Sequence, residues 1–323
     1  MKAVVQEAFG GPDVLRLADV PDPVPDDEHA VVRLHAAALN WHDVLVRRGR
    51  YGSPLPHVPG ADGAGVDVET AAEVVVLPSL HWGEDDAAPG PQWEILGDSR
   101  FGTYAELVRV PRDCVAPKPQ GLSWEQAAAL PVVGLTTYRA LFARGRLRAG
   151  ERLLVLGAGG GVATTAVGLG SAVGARVYVT SSSDDKLARA LELGAVGGVR
   201  YDDAAWPEAA RDLAGGFDLV LDSVGTWAES LRTLVPGGRL VVLGASRAET
   251  AQLDVRPFYF GQYDLLGSTL GSPRDFAALL RLIEEFDVAP PVIDRVFPLD
   301  RAAEAHVHLE SGTGFGKTVL LTR

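Results

Sequence analysis

The stretch LLVLGAGGGVATTAVGLGSAVGARVYVTSSSDDK, residues 153–186, constrains the fold more than any other part of the chain. A hydrophobic run ends in glycines, a helix of small residues follows, and a second hydrophobic run ends in serines. A strand, turn, helix and strand in this order open a doubly wound α/β sheet. The turn must reverse sharply, let backbone approach a phosphate, and seat the helix close to the strand. Gly157, Gly159, Gly160 and Gly161 meet the first two demands, and Ala163 is small enough for the third. The context predicts a dinucleotide whose pyrophosphate lies at a helix N-terminus.

The serines bear on which dinucleotide. An NAD site usually carries Asp or Glu at the end of the second strand, accepting from the ribose 2′-hydroxyl. Thr180, Ser181 and Ser182 stand there instead. A carboxylate about 4 Å from a 2′-phosphate would be disfavoured by about 4 kcal/mol at an effective dielectric near 20. Hydroxyls can donate to that phosphate, and Lys186 can add charge from the next helix. The plainer reading is that Ser183 or Asp184 caps this helix and Lys186 is a solvated charge. Both uses are compatible, and NADPH is the expected cofactor.

From Ser123, with Gln126 three residues on as a capping box, the chain reads as a helix interrupted at Pro131, then as regular β–α alternation. Strands are expected at 152–157, 176–181, 198–201, 218–223, 239–244 and 264–268, with helices at 164–173, 184–193, 206–213 and 227–234. Apolar strands with helices between them imply a parallel sheet covered on both faces. Before Ser123 the chain reads as β, with apolar segments at 30–39 and 72–80 and a loop over 81–102. The tail FGKTVLLTR reads as a strand returning to the first half. At 323 residues two domains are expected. They are drawn as 1–122 plus 270–323, and 123–269.

A formal net charge of −12 argues against nucleic acid as a partner. No run reaches the roughly 18 apolar residues of a membrane span, and residues 1–10 do not look like a secretory leader. Cys114 is the only cysteine, which excludes an internal disulfide and a cysteine-rich zinc site. A cytoplasmic location is expected. Nothing marks Cys114 as a nucleophile. His306 and His308 point apart on a helix and read as ordinary helix residues.

Several stretches stand together in register: AAALNWHDVLVRRGRYG, VPGADGAG, AAALPVVGLTTYRAL, DLVLDSVG, PGGRLVVLGA, LLGSTLGS and FGKTVLL. Through them the chain resembles, over nearly its whole length, a zinc-independent medium-chain dehydrogenase/reductase of the quinone oxidoreductase and enoyl reductase type. The resemblance implies an α/β fold: a GroES-like β-barrel catalytic domain with an inserted Rossmann doubly wound parallel sheet, an active site in the cleft between them, and a homodimer. It implies hydride transfer from NADPH to a quinone or an α,β-unsaturated carbonyl. Asn40 would lie beside the nicotinamide, Tyr51 would line the substrate pocket and donate to its oxygen, and Asp43 would buttress their loop. The cofactor would meet Thr136, the turn Gly159, Gly160, Gly161 and Val162, then Thr180, Ser181, Ser182, Lys186 and Tyr201. Leu243, Gly244, Leu266, Gly267 and Ser268 would face the nicotinamide from strand ends, and Gly316 with Lys317 from the tail.

Zinc-dependent relatives hold catalytic metal at positions matched here by Asn40, Ala61, Asp62 and Val133. Only Asp62 among these is an ordinary zinc ligand, whereas catalytic zinc needs about three. His42, His57 and Asp62 are the residues that could improvise a site, and no metal is expected. Without a Lewis acid, electron-poor conjugated acceptors are favoured over simple ketones. After Gly65 the hairpin is shorter than in such relatives, and VDVETAAEVVVLP reads as running straight through. The other readings are a coenzyme-binding structural or regulatory protein of low turnover, and a zinc-dependent alcohol dehydrogenase.

Overall fold

The computed structural model describes Met1 to Thr322. The chain forms two units: Met1–Val133 with Gly271–Ala277 and the segment from Pro290 onward, and Gly134–Leu270 with Ala278–Ala289. The first crossing therefore falls later than residue 122. Helix Trp124–Ala128 stays with the first unit because Ala127 and Ala128 are fully buried as it packs on the strands His29–Ala38 and Asp62–Asp67. Ser123 caps it by accepting from the Gln126 N–H, and the Gln126 side chain accepts from the Ser123 N–H, so the capping box is real.

The second unit contains a six-stranded parallel sheet of Arg152–Val155, Arg176–Ser181, Gly197–Arg200, Phe217–Asp222, Leu234–Val242 and Asp264–Gly267. Counted along the chain, they lie in the spatial order third, second, first, fourth, fifth, sixth. That is the doubly wound arrangement whose carboxyl edge binds nucleotides. The central strands carry apolar runs because both faces are covered: Leu154, Val220 and Leu240 are buried with Tyr178, Trp206 and Phe217 in one core. Helices Gly161–Ala172, Asp184–Glu192, Trp206–Ala214 and Trp227–Thr233 fill the crossovers. The fifth strand starts earlier than its apolar run, since Leu234 already pairs with Phe217 before a shift in register.

The first unit is built on a seven-stranded sheet. Its long strand His29–Ala38 pairs antiparallel with Lys317–Leu321 on one side and Asp62–Asp67 on the other. The tail strand thus sits beside a strand near the chain start, as its apolar pattern implied. Where the sequence reads as running straight through, Asp62–Asp67 and Glu73–Val76 form a tight hairpin, with Ala64 opposite Val75. The Asp67 carboxylate makes so short a turn possible by accepting from the N–H groups of Glu69 and Thr70. The loop over 81–102 contains one short strand, Glu94–Ile95.

Gly316 sets the start of the tail strand. Its φ is +109°, and a Cβ there would lie 2.4 Å from the Val292 carbonyl oxygen. Both facts demand glycine. Gly316→Ala is expected to lower unfolding free energy by about 2–4 kcal/mol, measured by denaturant titration. A loss within about 0.5 kcal/mol would show that the backbone there relaxes freely.

Candidate active site

Three neighbouring strands of the first unit bring distant residues to one rim. Ala38 pairs with Asp62 on one side and with Val319 on the other. Asn40, just past the end of the long strand, therefore meets Asp62 and Lys317. The Lys317 ammonium donates to the Asp62 carboxylate at 2.9 Å and to the Asn40 side-chain oxygen at 2.5 Å. The Asn40 amide nitrogen donates to the same Asp62 oxygen at 2.9 Å. The other Asp62 oxygen accepts from the Val132 N–H at 2.7 Å. All three side chains are buried.

The short helix Trp41–Arg47 follows at once and faces a second buried network. Asp43 accepts from the Asn40 N–H at 2.8 Å and from the Tyr104 hydroxyl at 3.0 Å. Tyr104 meets His306 Nε2 at 3.2 Å, and His306 Nδ1 meets Arg47 Nη1 at 3.1 Å. Arg47 also donates to the Gly10 carbonyl and to Glu310. A guanidinium only donates, so His306 Nδ1 accepts, its proton is on Nε2, and Tyr104 donates onward to Asp43. Burial, with the Arg47 charge beside it, pushes the His306 imidazole down to about 3. Burial pushes the Asp43 carboxyl up to about 6, against His42, the Asn40 N–H and Lys317. Sequence treated His306 and His308 as ordinary helix residues that point apart, and both lie on helix Ala302–Glu310. His306 is fully buried at the centre of the network, and His308 pairs with Asp294. Their partners lie far off in sequence, so periodicity alone could not reveal them.

On the other side of the same helix, His42 Nε2 meets Asp98 at 2.6 Å. Burial lowers its basicity, but Asp98, then Asp43 and Asp62, more than reverse this and raise it above the usual histidine value. The Tyr51 ring lies 4.6 Å from the His42 ring, centroid to centroid, and is half exposed. Burial and the Asp98 charge raise the Tyr51 hydroxyl above its ordinary value. His57 donates from Nε2 to the Gly97 carbonyl at 2.6 Å, leaving Nδ1 buried and unpartnered. Burial lowers its basicity.

Whether the residues suit a divalent metal turns on convergence, since a histidine engaged at one ring nitrogen can still ligate through the other. His42 is engaged by Asp98, His57 by a backbone carbonyl and Asp62 by an ammonium. Among the described residues no three His, Cys, Asp or Glu side chains converge as a metal site. The donor set does not fit zinc. Cys114 is buried, and burial and Asp113 hold its thiol far above the usual range, which is the inert condition.

In the second unit the glycine turn has the shape such a turn requires. Gly157 has φ +85° with open space where a Cβ would point. Gly160 precedes helix Gly161–Ala172, whose first N–H groups have no side-chain cap, and Gly159 and Val162 flank that start. The Thr180 hydroxyl accepts from the Gly157 N–H at 3.2 Å, tying the second strand's end to the turn. Ser181 and Thr180 are buried, whereas Ser182 is exposed and accepts from the Tyr201 hydroxyl at 3.1 Å. Ser183 caps the next helix by accepting from the Lys186 N–H. Leu243 and Gly244 follow the fifth strand at this same carboxyl edge, beside Leu266, Gly267 and Ser268 of the sixth. The Ser268 hydroxyl oxygen is buried without a partner, the kind of orphaned group a ligand satisfies. Thr136 is buried in this unit. Lys317, which the resemblance grouped with the cofactor residues, hydrogen-bonds to Asp62 and Asn40.

The buried networks give a pH signature. The lowered His306 value means its contribution is complete above about 6.5, the ordinary histidine value, and is lost as pH falls towards about 3. The raised Asp43 value acts oppositely, with its contribution lost as pH rises through about 6. His306→Leu should destabilise by about 2–4 kcal/mol at neutral pH, and the gap from wild type should narrow as pH falls, followed by urea titration across pH. A gap independent of pH would contradict a buried neutral imidazole.

Comparison with known proteins agrees with this architecture. Residues 26–120 match the family model for the alcohol dehydrogenase GroES-like domain, and residues 161–285 that for zinc-binding dehydrogenases. Quinone oxidoreductase of Mus musculus is 31% identical, covering 99% of this chain and 98% of its own. The chloroplastic NADPH-dependent alkenal/one oxidoreductase of Arabidopsis thaliana is also 31% identical, covering 99% and 79%. A crystal structure of an NAD-dependent alcohol dehydrogenase superposes with TM-score 0.93 at 41% identity, covering 99% of both chains. The quinone oxidoreductase of Thermus thermophilus, solved also as its complex with NADPH, gives 0.81 at 34%, covering 99% and 100%. With its GroES-like first unit and Rossmann-type second unit, the chain belongs to the medium-chain dehydrogenase/reductase superfamily and is an oxidoreductase.

Proposed function

We propose that this oxidoreductase uses NADPH to deliver hydride to a quinone or an α,β-unsaturated carbonyl without a metal. The observation that carries the reading is the carboxyl edge of the parallel sheet. There an open glycine turn stands beside Thr180, Ser181 and Ser182, and no carboxylate occupies the usual NAD position. Ser182 and Tyr201, already hydrogen-bonded to each other and both exposed, are the groups that would reach a 2′-phosphate, with Lys186 adding charge. The helix N-terminus at Gly160 and Gly161 would hold the pyrophosphate, and Ser268 with Gly267, Leu266, Leu243, Gly244 and Thr136 the nicotinamide end. Bound there, the coenzyme supplies hydride. The names of the mouse and Arabidopsis relatives support the acceptor class.

The chain's own residues would orient the acceptor and stabilise charge on its oxygen. The Asn40 amide, held by Lys317 and Asp62, is fixed rather than free to rotate. The Tyr51 hydroxyl, ordinarily protonated well above neutral pH, is raised further by partial burial and by Asp98 and so keeps its proton. It therefore acts as a hydrogen-bond donor, and the proton for the product comes from solvent. Asp43 holds the loop by accepting from the Asn40 N–H. A cytoplasmic homodimer belongs to the same reading. NADH as donor is the second reading, favoured by the NAD-dependent alcohol dehydrogenase at 41% identity.

Coenzyme oxidation followed by absorbance, with a quinone and an enone panel, tests the proposal. NADPH should exceed NADH in kcat/KM by about tenfold or more, and Ser182→Asp should erase or invert that preference, the equivalent of about 1.4 kcal/mol or more. Asn40→Ala should lower kcat/KM by about 10–100-fold and Tyr51→Phe less. A preference for NADH untouched by Ser182→Asp contradicts the NADPH reading. Binding without turnover of any acceptor contradicts the reductase.

A further inference from the structure

Lys317 and Asp62 form an ion pair with 4% and 0% of their side chains exposed. Removing both charges from water is costly and is offset only when geometry is good and every remaining donor and acceptor is satisfied. Both Asp62 oxygens have partners: Val132 N–H on one, Lys317 and Asn40 on the other. Only an amide oxygen can face the ammonium and only an amide NH2 can face the carboxylate, so the Asn40 side chain has one permitted orientation. Gly316, which alone accepts φ +109° against the Val292 carbonyl, brings Lys317 to this position, and the Lys317 N–H is fastened to the same carbonyl at 2.8 Å.

We infer that Lys317 is the built-in cation of this site: it neutralises Asp62, locks the Asn40 amide in one orientation, and takes the place in which a divalent ion would otherwise have to sit. The ammonium uses the Asp62 carboxylate and the Asn40 oxygen, the oxygen donors a cation would need here. A dication beside it would face a like charge in a buried setting. Lys317 is thus a positioning residue acting through Asn40. The inference deepens the proposed metal-free reading; its amine-rescue arm is read from stability, so that arm can fail or succeed independently of the proposed reaction.

Lys317→Ala leaves a hole the shape of a propylammonium ion beside an uncompensated buried carboxylate. The variant should unfold at a clearly lower temperature than wild type. Added n-propylammonium chloride should restore the midpoint with saturation, and n-propanol or sodium chloride at equal concentration should not. With the proposed acceptors, the amine should also restore kcat. Lys317→Met combined with Asp62→Asn removes both charges; it should fold, stay more stable than Lys317→Ala and ignore the amine. Wild type expressed with added zinc and gel-filtered should carry no stoichiometric zinc by mass spectrometry. Equal rescue by propanol, no loss of stability in Lys317→Ala, a double variant that cannot fold, or one zinc per wild-type chain would each overturn the inference. If Lys317→Ala folds only in the presence of the amine, the cation role is supported. If wild type oxidises no NADPH while the amine still rescues stability, only the proposed function fails.

Discussion

The contact of Lys317 with Asp62 and Asn40 is the interaction on which the arrangement of the first unit's rim depends. It joins residues separated by 255 and 277 positions, and it exists because three strands lie side by side. A buried ammonium opposite a buried carboxylate tolerates little error in register, since a one-residue slip turns each side chain to the opposite face. The backbone demands at Gly316 are part of the same constraint. Asn40 inherits its orientation from this pair and the position of its backbone from Asp43.

Around that centre the short helix Trp41–Arg47 divides its work between two sides. Asp43 and Arg47 look inward, to a chain of donors that runs from a permanently charged guanidinium through a neutral imidazole and a phenol to a carboxylate. His42 looks the other way, to Asp98 and Tyr51. Asp43 and His42 are neighbours in sequence with opposed electrostatic surroundings: burial raises the acid, and carboxylates raise the base.

Much of the second unit was legible because its signals are local. The strand at 176–181 is bounded by a glycine turn before it and serines after it, and its ends match the structure. Ser123 and Gln126 announce their capping box within four residues. The glycine turn, the serines and Tyr201 meet at one edge because parallel strands in register place their carboxyl ends together. The first unit was less legible for the opposite reason. His306 gives no local sign of its partners, since Arg47 is 259 residues away. Lys317 was marked by the resemblance as a cofactor residue, while its hydrogen bonds run to Asp62 and Asn40. The turn after Gly65 lacks the usual glycine and proline signals, and its tightness comes from the Asp67 carboxylate.

The central claim is hydride transfer from a phosphorylated coenzyme on a site whose cation is a lysine. Isotope transfer tests it most directly. Enzyme dialysed against chelator is given NADPH carrying deuterium at the transferring nicotinamide carbon, together with an enone, and the product is examined by mass spectrometry. The account predicts deuterium on a product carbon at a rate unchanged by chelation or by added zinc. Transfer that stops in the chelated enzyme and returns with zinc would contradict it.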